Sequence, residues 1–131
     1  MNKTIIAVYG RANEGKSETI KKVCRLLLNS FPNAVSFPSE INYNGDVCLT
    51  IKLDKVRIGI ESQGDPNSRM VNTIGKLAEK KCDIIICATR TSGSTVNKVD
   101  EIAKNYNYKT VWLSTYLGQK KRSQYAERNG C

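Results

Sequence analysis

Thr4-Ile5-Ile6-Ala7-Val8-Tyr9-Gly10-Arg11-Ala12-Asn13-Glu14-Gly15-Lys16-Ser17 is the stretch on which the fold of this chain turns. Thr4–Tyr9 is a short, β-rich apolar run of the kind buried on both faces of a parallel sheet. It ends at Gly10, in a polar loop. From Lys16 the period changes, and Ile20, Val23, Cys24, Leu27 and Phe31 recur at helical spacing until Pro32 closes the segment. The order strand, glycine-bearing loop, helix predicts the opening unit of an α/β domain.

The rest of the chain continues the alternation. Residues 33–45 are mixed and read mostly as loop. Val47–Leu53 and Val56–Glu61 are β-rich runs on either side of Asp54-Lys55, which predicts an antiparallel hairpin. Asp65-Pro66 reads as a helix start, with Asp65 as cap and Pro66 at the first helical position. Val71, Ile74, Leu77 and Ala78 mark the buried face of that helix. Asp83–Ala88 is a second buried strand, Thr95 opens a helix carrying Val96, Val99, Ile102 and Ala103 on one side, and Thr110–Leu113 is the last strand. These elements predict a single α/β domain over 1–131, a three-layer αβα sandwich. Its sheet is mostly parallel, with helices on both faces and one antiparallel hairpin strand at the edge. Residues 114–131 form a basic tail or helix.

Composition narrows the chemistry. The 131 residues hold 21 Lys plus Arg against 12 Asp plus Glu, a net charge of +9, with five Cys and no His. Without His there is no Ser-His or Cys-His nucleophile pair and no His-ligated zinc. Phosphoryl chemistry needs none of these. The positive balance favours an anionic partner: nucleotide phosphates, nucleic acid or an acidic membrane surface. Cys24, Cys82 and Cys87 lie in or beside apolar runs, and no CxxC pair occurs, which suits a reducing compartment. No leader pattern opens the chain, and no apolar run approaches the roughly 20 residues of a membrane span. The expectation is a cytoplasmic protein that does not enter a membrane.

Gly10-Arg11-Ala12-Asn13-Glu14-Gly15-Lys16-Ser17 fits GxxxxGK[ST] in full, between a strand and a helix as the mechanism requires. Gly10 and Gly15 let the backbone wrap closely, so that N–H groups of residues 10–18, Glu18 in the first helical turn included, face phosphate oxygens. The helix adds the positive end of its dipole. In this motif Lys16 reaches the β- and γ-phosphates and the Ser17 hydroxyl sits on Mg²⁺.

The loop and the order of elements from Thr4 to Leu113 resemble the P-loop NTPase superfamily. The resemblance implies a nucleoside triphosphate with Mg²⁺, bound at the C-terminal ends of the strands. It also implies an acidic residue at the end of a second apolar strand, and Glu61 is the positional match, as metal contact or general base. Glu61-Ser62-Gln63-Gly64 is similar to the strand end of small G domains, where Gly64 would give its N–H to a γ-phosphate and Gln63 would orient a water.

Arg90, in the hydroxyl-rich segment after Asp83–Ala88, is the candidate for stabilising charge on a transferring phosphoryl group. Asn97-Lys98-Val99-Asp100 spells NKxD, a guanine-reading motif, but it falls inside a helical pattern with Val99 on the buried face, so ATP is favoured over GTP. Lys120-Lys121-Arg122, with Tyr106, Tyr108, Tyr116 and Tyr125 nearby, offers weak support for a nucleic-acid or protein partner. Three functions stay open at this point. The first is hydrolysis of a Mg²⁺–nucleoside triphosphate by a minimal domain, with a homo-oligomer able to lend an arginine. The others are a non-catalytic nucleotide-binding regulator and a small P-loop kinase, for which only residues 33–45 and the tail are left to hold an acceptor.

Overall fold

The computed structural model describes residues 2–115, so the expectations on Tyr116, Lys120, Lys121, Arg122, Tyr125 and the rest of the basic tail lie outside the described residues. In chain order the elements are β1 (Thr4–Tyr9), α1 (Lys16–Ser30), β2 (Val35–Phe37), β3 (Cys48–Leu53), β4 (Val56–Glu61), α2 (Met70–Glu79), β5 (Ile84–Thr89), α3 (Ser94–Tyr106) and β6 (Lys109–Ser114). The strands form one mixed sheet in the order β2-β3-β4-β5-β1-β6. β4, β5, β1 and β6 run parallel, while β3 is antiparallel to both β2 and β4.

The period-2 alternation of each strand divides its side chains between two cores. On one face Ile5, Ala7, Ile85 and Cys87 pack against Met70, Ile74 and Leu77 of α2 and Val99 and Ile102 of α3. On the other face Val8, Ile58, Ile60, Ile86 and Ala88 pack against Ile20 and Cys24 of α1. β5 supplies both cores, which is why its sequence reads as a continuous apolar run. Each fully buried aliphatic side chain contributes about 1.5–3 kcal/mol over its exposed state. Helices therefore cover both faces, as the alternating pattern predicts. No helix among the described residues is long and apolar enough to cross a membrane.

Two expectations are corrected. Residues 33–45 are not all loop: Val35–Phe37 pair antiparallel with β3, through Val35↔Lys52, Ser36↔Ile51 and Phe37↔Thr50. The antiparallel edge thus has two strands rather than one. Three residues are too few to show a period, so the strand exists only through its partner. The second helix begins at Met70 and not at Asp65. Ser68 ends a turn there, its amide and hydroxyl donating to the Asp65 carbonyl at 3.1 and 2.7 Å, and its oxygen accepts the Met70 N–H at 3.3 Å. Asp65 caps nothing because its carboxylate is drawn to Arg90.

Registry sets the site. Tyr9 lies level with Thr89 across the β1–β5 ladder, and Glu61 lies level with Cys87 across the β4–β5 ladder. The strand ending in Glu61 is not the neighbour of the strand that feeds the glycine loop. β5 stands between them, so the two are separated by about 10 Å, twice the inter-strand spacing, and the segment after Thr89 emerges in the gap.

Candidate functional site

The loop after β1 folds tightly onto the start of α1. Gly15 caps the helix in the left-handed region at φ 83°, where a side chain would be strained. Lys16 turns back under the loop, and its Nζ donates to the Gly10 carbonyl at 3.0 Å and the Thr89 carbonyl at 2.9 Å. Its side chain joins the loop of β1 to the end of β5. Burial pulls the ammonium pKa below that of an ordinary lysine; Asp65 and Glu14 oppose this, and Arg90 adds to it. The first-turn amides of α1 have no partner within the helix.

Residues 13–18 line one wall of a cavity of about 420 Å³, which takes in Asn13, Glu14, Gly15, Lys16, Ser17 and Glu18. Arg11 and Ala12 are exposed. The Arg11 amide donates to Glu14 Oε1 at 2.5 Å, so the Glu14 carboxylate lies against the loop backbone.

The opposite wall holds a residue that sequence reasoning missed. Asp46 lines the cavity, and its Oδ1 accepts the Ser17 hydroxyl at 2.6 Å and the Ser62 hydroxyl at 2.8 Å. Burial pushes its carboxyl upward, but hydrogen bonds from Ser17, Ser62 and Gln63 and the charge of Arg69 together hold it below the usual carboxylate value. Asp46 sits at the end of a loop, 29 residues from Ser17, with no periodic pattern to mark it. Lys21 fixes that loop, donating to the carbonyls of Tyr43 at 3.1 Å and Gly45 at 3.2 Å. A serine hydroxyl and a carboxylate side by side are hard oxygen donors that fit Mg²⁺, which commonly takes one or two protein oxygens and completes its shell with phosphate and water.

Glu61 is placed differently from its expected role. It is fully buried, and Arg69 clamps it, Nε to Oε1 at 2.9 Å and Nη2 to Oε2 at 3.1 Å. The Gln63 amide also donates to Oε2, at 3.2 Å. Its alternation along β4 puts it with Gly59, on the face opposite Ile58 and Ile60. The carboxylate is committed to a guanidinium, and the one beside Ser17 is that of Asp46.

Arg90 stays near the site. Its Nη2 pairs with Asp65 Oδ1 at 3.0 Å, and Asp65 lines the cavity. Gly64 lines it too, and only glycine fits there: a Cβ would meet the Ala88 Cβ at 2.7 Å and its backbone carbon at 2.8 Å. Asn97-Lys98-Val99-Asp100 lies within α3, with Val99 buried and Lys98 paired with Glu101 at 2.8 Å. Tyr106 packs on the core and Tyr108 is buried, donating to the Cys82 carbonyl, so neither forms a stacking surface.

Comparison with protein-family models, with curated proteins and with solved structures returns no match to this chain.

Proposed function

We propose that this protein binds a Mg²⁺–nucleoside triphosphate, ATP in preference to GTP, and hydrolyses it. The observation that carries the reading is the Lys16 ammonium, held by the Gly10 and Thr89 carbonyls at the base of the 420 Å³ cavity whose far wall is Asp46. The motif, the strand–loop–helix context and the cavity agree on one ligand chemistry.

In this reading the amides of residues 13–18 hold the α- and β-phosphates, and Lys16 shifts to the β/γ oxygens. Mg²⁺ beside Ser17 and Asp46 supplies charge neutralisation on the phosphates. Gln63 orients the attacking water and the Gly64 amide faces the γ-phosphate. The water oxygen forms a bond to the γ-phosphorus as the bridging oxygen leaves with the diphosphate. Arg90, steadied by Asp65, stabilises the charge that develops there. Glu61 acts through Arg69 as a positioning residue for the 61–69 segment. Adenine is favoured because the NKxD residues are spent on the α3 helix.

A thermal-shift panel of ATP, GTP and their diphosphates, with and without Mg²⁺, tests binding, and phosphate release tests turnover. A ligand that binds only the folded chain raises stability by about 2.7 kcal/mol at a hundredfold excess over Kd. Lys16→Ala should abolish both signals. No shift with any nucleotide overturns the proposal, and binding without phosphate release makes the protein a nucleotide-dependent regulator instead.

A further inference from the structure

Asp46 belongs to two cavities. Besides the wall facing the glycine loop, it lines a second pocket of about 290 Å³, walled by Ile41 and Leu49 and edged by Glu40, Asn42 and Arg69. That volume falls just below the roughly 300–1,000 Å³ typical of ligand sites, which suits a small molecule. The 33–45 segment supplies Pro38, Glu40, Ile41 and Asn42 to it, and residues 46–49 with Arg69 complete the lining.

We propose that this pocket is a second-substrate site for a small, uncharged molecule bearing a hydroxyl group, which competes with water for the γ-phosphoryl group. The inference rests on the reading that the glycine loop holds a nucleoside triphosphate. Three features carry it. The first is the shared wall: Asp46 lines both the cavity that takes in Ser17 and the second pocket, so the two sites adjoin. The second is preorganisation. Arg69 is fixed by two hydrogen bonds to the buried Glu61, and the loop opposite is pinned to α1 by Lys21 and by Arg25 stacked over the Tyr43 ring at 4.3 Å. A guanidinium held this way directs its remaining N–H groups without losing rotamer freedom on binding.

The third feature is charge. Glu61 cancels the positive charge of Arg69 and Asp46 would be answered by Mg²⁺, which leaves the Glu40 carboxylate as the excess charge of the lining. An anionic acceptor such as a sugar phosphate or a nucleoside monophosphate meets net repulsion, whereas a neutral polyol or nucleoside finds apolar walls and polar rims. In the transfer, the acceptor oxygen forms a bond to the γ-phosphorus and the bridging oxygen leaves with the nucleoside diphosphate. The hydroxyl proton is released to solvent as the bond forms.

Ligand-observed NMR on the full chain, with adenosine, thymidine, glucose and glycerol as neutral probes and AMP and glucose 6-phosphate as anionic ones, tests the site. Phosphorus NMR after adding Mg²⁺ and ATP reads out product. The expected result is binding of at least one neutral probe with a new phosphomonoester signal. Ile41→Trp, which fills the pocket, should weaken that binding at least tenfold, and Glu40→Lys on the exposed rim should move preference towards the anionic probes. An ATP-induced thermal shift with no neutral probe bound or phosphorylated overturns the second site alone, as does a preference for anions in the unaltered chain. Absence of any ATP shift fails the nucleotide reading and takes the transfer step with it.

Discussion

The Ser17 hydroxyl and the Asp46 carboxylate meet at 2.6 Å across the mouth of the glycine loop, although 29 residues separate them. One comes from the first turn of α1 and the other from the entrance to β3. Their meeting makes the far wall of the cavity part of the loop's own hydrogen-bond network. If the pair borders the Mg²⁺ position, Asp46→Ala removes a hard anionic donor, and metal affinity should fall by about tenfold or more. A Mg²⁺ titration of the ATP-induced thermal shift measures this, and an unchanged Mg²⁺ midpoint would return the metal role to another carboxylate.

Removing Glu14 should act in the opposite direction. Its carboxylate accepts the Arg11 amide at 2.5 Å and lines the cavity where phosphates are expected. Two like charges about 4 Å apart repel by about 1 kcal/mol in water. Glu14→Gln should therefore tighten ATP binding roughly fivefold at low salt, with the gain shrinking as salt screens it. Calorimetric titration at two ionic strengths reads both effects; equal affinities at low salt would sink the argument.

How much of this was legible along the chain depends on whether a feature is local. The change of period between Tyr9 and Lys16 predicts β1, the loop and α1, because each is decided by its own residues. Glu61 was found for the same reason, at the end of an apolar run. Its partner was not, since Arg69 finds Glu61 only when the 62–69 segment folds back over the end of β4. Asp65 shows how a sound local signal is overruled. Asp-Pro is a good helix start, but Arg90, 25 residues away, takes the carboxylate and leaves Ser68 to accept the first helical amide. β2 and Asp46 are visible only from their partners, Thr50 to Lys52 and Ser17.

The alkaline limb of stability should depend on Cys82. This thiol is fully buried, and burial pushes its pKa from 9.0 up to about 11. Its folded pKa is raised, so between those values the unfolded chain has lost the proton and the folded chain keeps it. Stability from this group is complete below pH 9 and declines as pH climbs towards 11. Cys82→Ala should lower stability at pH 8 by leaving a small void, yet flatten the decline by on the order of 2 kcal/mol. Lys16, with its lowered pKa, contributes with the opposite sign in both proteins and cancels in the comparison. Urea unfolding at pH 8, 9, 10 and 11 provides the curves; parallel curves would contradict the assignment.

The close approach of Gly64 to β5 gives a test of how the 62–65 wall is held. A Cβ there would stand 2.7 Å from the Ala88 Cβ and 2.8 Å from its carbonyl carbon, so strand backbone, not a flexible side-chain end, must yield. Gly64→Ala should cost about 1–3 kcal/mol. It should also weaken nucleotide binding, because Gln63 and Asp65 on either side move with it. Gly45 is the control, on the loop that carries Asp46. A Cβ at Gly45 meets nothing within 4 Å and its φ is not positive. Gly45→Ala should be neutral, or stabilising by about 0.4–1 kcal/mol through loss of unfolded-state entropy. Denaturant midpoints of the two variants, read beside their ATP-induced thermal shifts, separate strain at the wall from a general effect of replacing glycine; equal midpoints would mean that the strand end gives way freely and does not hold the wall.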